Sequence, residues 1–436
     1  MPMDTSAVDC QRQPVVLDPS GHDIHAETAR LRERGPVVPV ILPGGVPAWS
    51  VTSHELIKRL MTHPSVSKDA YRHWPAWING DIPRDWPLSL WISVRSMITA
   101  YGADHTRLRK LVSTAFTARR TAALRPRVEE ITAGLLDRLE GLPPGQPVDL
   151  RAEFASPLPI QVICELFGIP TQARDALRHT IDLTFMTALT VQEAQENGER
   201  LYQMLDELVT AKRAAPGADL TSGLIAARDD GDGSGLSRQE LVDTLLLMIS
   251  AGYETTINLI GHAVHLLLTH PEQLRMVRTG EVSWADVIEE TLRVEPPGAN
   301  VPLRYAVEDI ELGGVTIPRG DAILVSLAGA GRDPEQHGSD ADRFDPARPT
   351  RRDHLSFGHG VHRCLGAPLA RLEVSVALPA LFSRFPDLAL AAPSETLGSL
   401  NSFISNGHRR LPVVLGDHNR LPVVLGDHNT VEQATS

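Results

Sequence analysis

A mainly α-helical fold, one large domain with small β-sheets at its edge, is what this sequence predicts. Three observations carry that expectation. Apolar residues recur with a helical period over long stretches, notably 129–139, 194–214 and 236–269. Strand-like runs are short and gather in two places, 37–51 and 301–327. No Ser/Gly-rich linker divides the 436 residues, so one domain is expected although the length would allow two or three.

In chain order, 37–51 reads as a hairpin turning at Pro43-Gly44-Gly45. The segment from Tyr71 to Trp91 carries Trp74, Trp77, Trp86 and Trp91 among Pro, Gly and Asp residues, which makes it loop-like. His105 and Arg109 stand four apart and share a helical face. Ser237 and Glu240 form a capping box for a helix that runs to about His270, where Pro271 stops it. Its middle, Ser250-Ala251-Gly252-Tyr253-Glu254-Thr255-Thr256, breaks several local rules. Gly252 costs such a helix ~1 kcal/mol relative to Ala. Thr255 can divert its hydroxyl to the carbonyl of Ala251, and a buried Glu254 needs a partner. Broken rules in mid-helix point to a functional site and to an interruption of the helix there.

A further helix starts at Ser283 and ends at Glu295-Pro296-Pro297, with Glu290 and Arg293 on one face. Strands in 301–327 turn at Gly313-Gly314 and Pro318-Arg319-Gly320. Residues 331–353, rich in Asp, Pro and Arg, read as a long ordered loop. In Phe357-Gly358-His359-Gly360-Val361-His362-Arg363-Cys364-Leu365-Gly366 the glycines replace side chains at tight points of a turn and let the backbone approach closely. A helix beginning after Cys364 favours its anionic sulfur. Residues 411–415 make a last strand. The decapeptide RLPVVLGDHN occurs at 410–419 and again at 420–429. A tandem duplication explains it, and the second copy is expected to be a mobile tail within 416–436.

Composition narrows the function classes. A net charge of −12 argues against nucleic acid or an anionic membrane as the main partner. Cys10, Cys164 and Cys364 have no disulfide or zinc spacing, so a reducing cytoplasm is expected. The N-terminus lacks a leader pattern, and no apolar run reaches the ~20 residues that span a bilayer.

The loop around Cys364 resembles the haem-thiolate loop of the cytochrome P450 superfamily, Phe-Gly-x-Gly-x-His-x-Cys-x-Gly. Residues 251–255 resemble that family's Ala-Gly-x-Asp/Glu-Thr motif. Glu290 and Arg293 match its Glu-x-x-Arg element, and Phe344 to Arg348 its Phe-x-Pro-x-Arg element. The resemblance extends from the N-terminal sheet to Leu415 and is greatest to soluble actinobacterial members acting on polyketides, steroids and peptides. It implies the cytochrome P450 fold over 1–415 and haem b ligated by Cys364. Ala251, Phe357, Gly358 and Gly366 would lie against the haem, and His105, Arg109, Arg304 and His354 would bind its propionates. Thr255 would hydrogen-bond the dioxygen being activated, and Glu254 would help deliver protons. Glu290, Arg293 and Arg348 would form a structural network. Electrons would pass from NAD(P)H through a ferredoxin reductase and an acidic ferredoxin, which docks on basic residues including Arg107, Lys110, Arg119, Arg120, Arg351, Arg352 and Arg363.

The implied reaction is hydroxylation of a bulky hydrophobic or polycyclic molecule in a soluble bacterial enzyme. Oxidative aryl coupling on the same haem is an alternative, and a non-catalytic haem sensor or carrier is one from another class. The Glu254-Thr255 pair argues against a carrier, which needs no protons. Expected pocket walls include Trp86, Trp91, Phe185, Leu247, Ala251, Asn300, Val301 and Phe403, with Ser402 and Ser405 adding polarity.

Overall fold

The computed structural model describes residues 13–83, 86, 88–228 and 233–416. Cys10 and all of the expected tail except Gly416 lie outside them. Among the described residues, no helix is long and apolar enough to cross a membrane.

Six strands make the main sheet: β1 (Val15–Val16), β2 (Val37–Leu42), β3 (Val46–Val51), β4 (Val66–Ser67), β5 (Asn300–Ala306) and β6 (Ala322–Ser326). Their spatial order is β1-β2-β3-β6-β5-β4. β2 and β3 form the expected hairpin, with Val37 opposite Val51 and Leu42 opposite Val46. β3 pairs with β6 in parallel, and β5 lies antiparallel to β6. Both predicted strand regions therefore meet in one sheet. Residues 310–317 form a separate two-stranded hairpin, and Pro412–Val414, the last strand among the described residues, lies between Ala389–Leu390 and Val148–Asp149.

The elements that carry the site are helical: α1 (Gly102–Ala115), α2 (Pro157–Phe167), α3 (Arg174–Thr184), α4 (Arg238–Thr269), α5 (Trp284–Val294) and α6 (Ala367–Arg384). The capping box of Ser237 and Glu240 starts α4, whose 32 residues span ~48 Å. α4 packs against α2, α5 and α6. Ile249, Tyr253, Ile257 and Val264 of α4 join Ile163 of α2 and Leu372 and Leu378 of α6 in the largest core cluster. Each such fully buried side chain contributes roughly 1.5–3 kcal/mol.

The expected interruption of α4 is absent: the helix runs unbroken through Gly252. A Cβ at Gly252 would stand 3.3 Å from Ile163 Cδ1, so the glycine admits α2 rather than opening the backbone. Thr255 Oγ1 donates to the Ala251 carbonyl at 2.5 Å and Thr256 Oγ1 to Gly252 at 2.8 Å. These hydroxyls share carbonyl acceptors with the helix and displace none of its turns.

Candidate active site

Cys364 lies between a tight loop and the start of α6. Its backbone N–H donates to the Phe357 carbonyl at 2.8 Å, closing the loop. Gly358 and Gly360 take φ near +69° and +68°, a conformation side chains disfavour. A Cβ on Gly360 would also approach the Met61 carbonyl oxygen to 2.8 Å. Enclosure by the protein pushes the Cys364 thiol above its ordinary value, while the N–H groups of Gly366 and Ala367 and the charges of Arg109 and Arg371 oppose that shift. The helix start therefore acts in the predicted direction, but desolvation outweighs it.

Behind the loop Glu289, Glu290, Arg293 and Arg348 are all partnered. The Arg293 guanidinium grips Glu290 at 2.8 and 2.6 Å and donates to the carbonyls of Gly331, Ala341 and Arg343. Both side chains are 0% exposed. Arg348 joins Glu290 and donates to the His337 carbonyl. Beside them, Glu289 receives Arg371 at 2.6 and 2.8 Å and faces His354 at 3.1 Å. Burial opposes the charge on Glu289, yet Arg371 and His354 hold its carboxyl down at about 2.

That arrangement corrects one expectation. His354 does not line the cavity beside Cys364; its ring is buried against Glu289 and accepts the Ser356 N–H. His362, inside the loop itself, takes the place expected for it. It lines the cavity together with Arg109 and Arg304, and its ring lies 4.2 Å from that of His105. His105 Nε2 and Arg304 Nη1 are buried and have no hydrogen-bond partner.

The cavity is bounded by Cys364, Phe357, Gly358 and Gly366 on one side and by Ala251, Gly252 and Thr255 on another. It holds about 1590 Å³ counting its mouth. A second chamber of about 1060 Å³ shares Leu247, Ala251, Thr255, Val301 and Lys68 with it. Trp91, Phe185 and Asn300 line the chamber as expected, and the Trp91 and Phe185 rings meet edge to face at 5.0 Å.

Three other site residues stand elsewhere. The Trp86 indole donates to the Pro43 carbonyl at 2.8 Å and packs with Trp74 and Trp77 in the sheet-side core, away from the chamber. Phe403 packs in that same core and does not line the chamber, whereas Ile404, of the same core cluster, and Ser405 do line it. Glu254 is buried outside both cavities, with Arg151 at 3.3 Å, Asn258 at 3.1 Å and the Ser405 hydroxyl at 3.2 Å. Neighbours on a helix diverge by about 100°, so Thr255 faces the cavity and Glu254 does not.

Comparison with known proteins accounts for this layout. The family model described as Cytochrome P450 matches residues 171–282 and 284–390. A 2-hydroxy-5-methyl-1-naphthoate 7-hydroxylase from Streptomyces carzinostaticus is 46% identical over 402 residues, 92% of this chain and 97% of the relative. The chain is a cytochrome P450. The 6-deoxyerythronolide B hydroxylase of Saccharopolyspora erythraea is 40% identical, across 90% of this chain and 96% of that one. The solved structure of CYP154A1 from Streptomyces coelicolor A3(2) matches at a TM-score of 0.87 and 58% identity, over 92% of this chain and 100% of its own. This P450 is accordingly a monooxygenase, an oxidoreductase of a family that uses haem and O2.

The residues present fit a haem. A thiol faces a broad cavity whose opposite wall, at Ala251 and Gly252, has no bulky side chain. Unpartnered cationic and imidazole nitrogens stand where carboxylates could be bound. The sequence reading of this P450 missed His362, Lys68 and Glu373, which all line the cavity. His362 was visible in the loop motif. Glu373 interrupts the apolar positions of α6; burial raises its carboxyl to about 8 and Oε2 has no partner. Lys68 gave no sequence signal.

Proposed function

We propose that this P450 hydroxylates a bulky, largely apolar small molecule, using haem b held by Cys364, O2, and electrons passed from NAD(P)H through a ferredoxin reductase and a ferredoxin. The observation that carries the reading is that Cys364 and Thr255 line one cavity, and that Thr255, Ala251 and Val301 are shared between it and the apolar chamber. When bound, haem supplies O2 activation and hydrogen abstraction from carbon. The protein supplies the rest. Cys364 Sγ is the metal ligand. Arg109, Arg304, His105 and His362 receive the propionates. Thr255 holds a hydroxyl proton at the cavity wall, tethered to the Ala251 carbonyl. Glu254 is a proton source only after turning away from Arg151.

The walls formed by Trp91, Phe185, Leu247 and Val301 exclude water and orient the ligand. The relatives' names, a naphthoate hydroxylase and a 6-deoxyerythronolide B hydroxylase, support a polycyclic or polyketide substrate. The proposed ferredoxin face is narrower than the sequence suggests. Arg107 is taken by Glu240 and Arg351 by Asp286, whereas Arg363, next to Cys364, is exposed.

Cys364→Ala should abolish the red-shifted Soret band of the reduced CO complex; an unchanged band refutes the thiolate assignment. Thr255→Ala should retain haem and substrate but send electrons to peroxide, and product formation still fully coupled to NAD(P)H oxidation would remove Thr255 from proton delivery. Product mass separates hydroxylation, which adds one oxygen, from coupling, which loses two hydrogens.

A further inference from the structure

Lys68 follows β4 and is 5% exposed. Its ammonium has three donors and, among the described residues, a single hydrogen-bond partner, the Pro302 carbonyl at 3.2 Å. Burial and the nearby Arg304 charge both act against the cation. Among the described residues, no carboxylate forms an ion pair with Lys68, Arg109 or Arg304. A buried cation without a counter-charge is costly, so this end of the cavity is built for anions.

Two haem propionates, held by Arg109 and Arg304, would neutralise two of these three cations and leave one over. Arg109 and Arg304 line only the cavity that contains Cys364, whereas Lys68 also lines the apolar chamber. Most other polar groups of the chamber are already committed; the exceptions are two neutral hydroxyls, Ser250 Oγ and Tyr305 Oη, which have no partner among the described residues. Asn300 donates to the Phe403 carbonyl, Ser405 to Glu254, Thr99 to the Val94 carbonyl and Thr184 to the Thr180 carbonyl. Ser250 and Tyr305 are neutral, so the surplus positive charge facing the chamber sits on Lys68.

We infer that Lys68 anchors a carboxylate of the substrate, so that the preferred ligands are apolar molecules bearing one acidic group at the boundary of the two cavities. This rests on the haem reading above. The Lys68 ammonium replaces its missing partners with carboxylate oxygens, and the apolar body of the ligand lies along Trp91 and Phe185. A charge-assisted hydrogen bond in such a site favours the acid over a neutral ester by ~10-fold or more.

The test is a Soret titration of the haem-loaded enzyme at pH 7.5 with three matched pairs: 1-naphthoate, 9-anthracenecarboxylate and dodecanoate, each beside its methyl ester. Wild type should bind at least one acid ~10-fold more tightly than its ester. Lys68→Met should lose that preference while ester affinity stays within about twofold, and Lys68→Arg should keep it. The inference is overturned if wild type takes up no acid, if it binds esters as well as acids, or if Lys68→Met retains the preference. A Lys68→Met protein that purifies without haem also overturns it, because Lys68 would then hold a propionate. Failure of the haem reading is separate: wild type itself would show no red-shifted CO band.

Discussion

The ground behind the cysteine loop and the wall of the apolar chamber lie on two sides of the same cavity and are built by opposite means. Behind the loop, Glu290, Arg293 and Arg348 are buried charges whose hydrogen bonds tie α5 to the segment 331–348. The chamber is lined instead by separate pieces of chain: Trp91, Phe185 at the end of α3, Leu247 of α4, Val301 of β5 and Ile404. Most of its polar side chains bond backbone carbonyls or groups behind the wall. The first region can keep its shape whatever the ligand, because its geometry is fixed by bonds of defined length and direction. The second is held by non-directional packing, which tolerates exchange of one apolar side chain for another of similar size.

The largest effect should come from breaking the directional side. Arg293→Ala leaves Glu290 buried and short of its main partner, strips the Gly331 and Ala341 carbonyls of their donor, and leaves the Arg343 carbonyl with only Arg348 at 3.5 Å. Removing one member of such a pair costs about 3–5 kcal/mol. Thermal melts and haem content of the purified variant should both fall sharply. A variant that melts like wild type with full haem would show that the network does not support the loop.

The tryptophans sharpen the contrast at a smaller scale. Trp86→Phe orphans the Pro43 carbonyl and opens a gap beside Gly44, whose missing Cβ lets the indole lie against the turn. It should cost ~2 kcal/mol and leave ligand affinity alone. Trp91→Ala removes a chamber wall that is only partly buried. It should cost less stability than Trp86→Phe while shifting Soret-detected ligand preference toward larger molecules. If Trp86→Phe changed ligand affinity and Trp91→Ala did not, the assignment of chamber and core would be reversed.

The same contrast explains what could be read from sequence. Glu290, Arg293, Cys364 and the long helix were legible because each lies in a short local pattern: i,i+3 spacing, a glycine-punctuated loop, a capping box followed by apolar periodicity. The hairpin at Gly44 and the strands of 301–327 were legible for the same reason. Trp86 and Phe403 were not, because composition marks an aromatic as buried but not which side it faces. Phe403 and Ile404 belong to one core cluster, yet Ile404 also lines the chamber and Phe403 does not. His354 and His362 are both histidines near one loop, and only the fold shows that Glu289 claims the first. Lys68 acquires meaning only when β4 is placed beside β5 and Arg304.

The smallest expected effect has a sign that differs between the two sides. Asp182 lies near the end of α3, just before the chamber residues Thr184 and Phe185. Burial, then the Glu254 charge, raise its carboxyl from 3.8 to about 6, against Arg151 and Arg178. Between those values the unfolded chain has released a proton that the folded chain keeps. Stability therefore falls as pH rises from about 4 to about 6 and remains lowered above that. Glu289 has the opposite sign: held at about 2, it contributes stability that is present above its ordinary value of 4.5 and lost on acidification below it. Asp182→Asn should accordingly raise the melting temperature at pH 8, by an amount equivalent to ~1 kcal/mol after allowance for partial solvent exposure, and should change little at pH 4. Melts of wild type and variant across pH 4–8 check this. Parallel curves would mean that Asp182 ionises normally, and that its interaction with Glu254 is screened by water entering from the chamber.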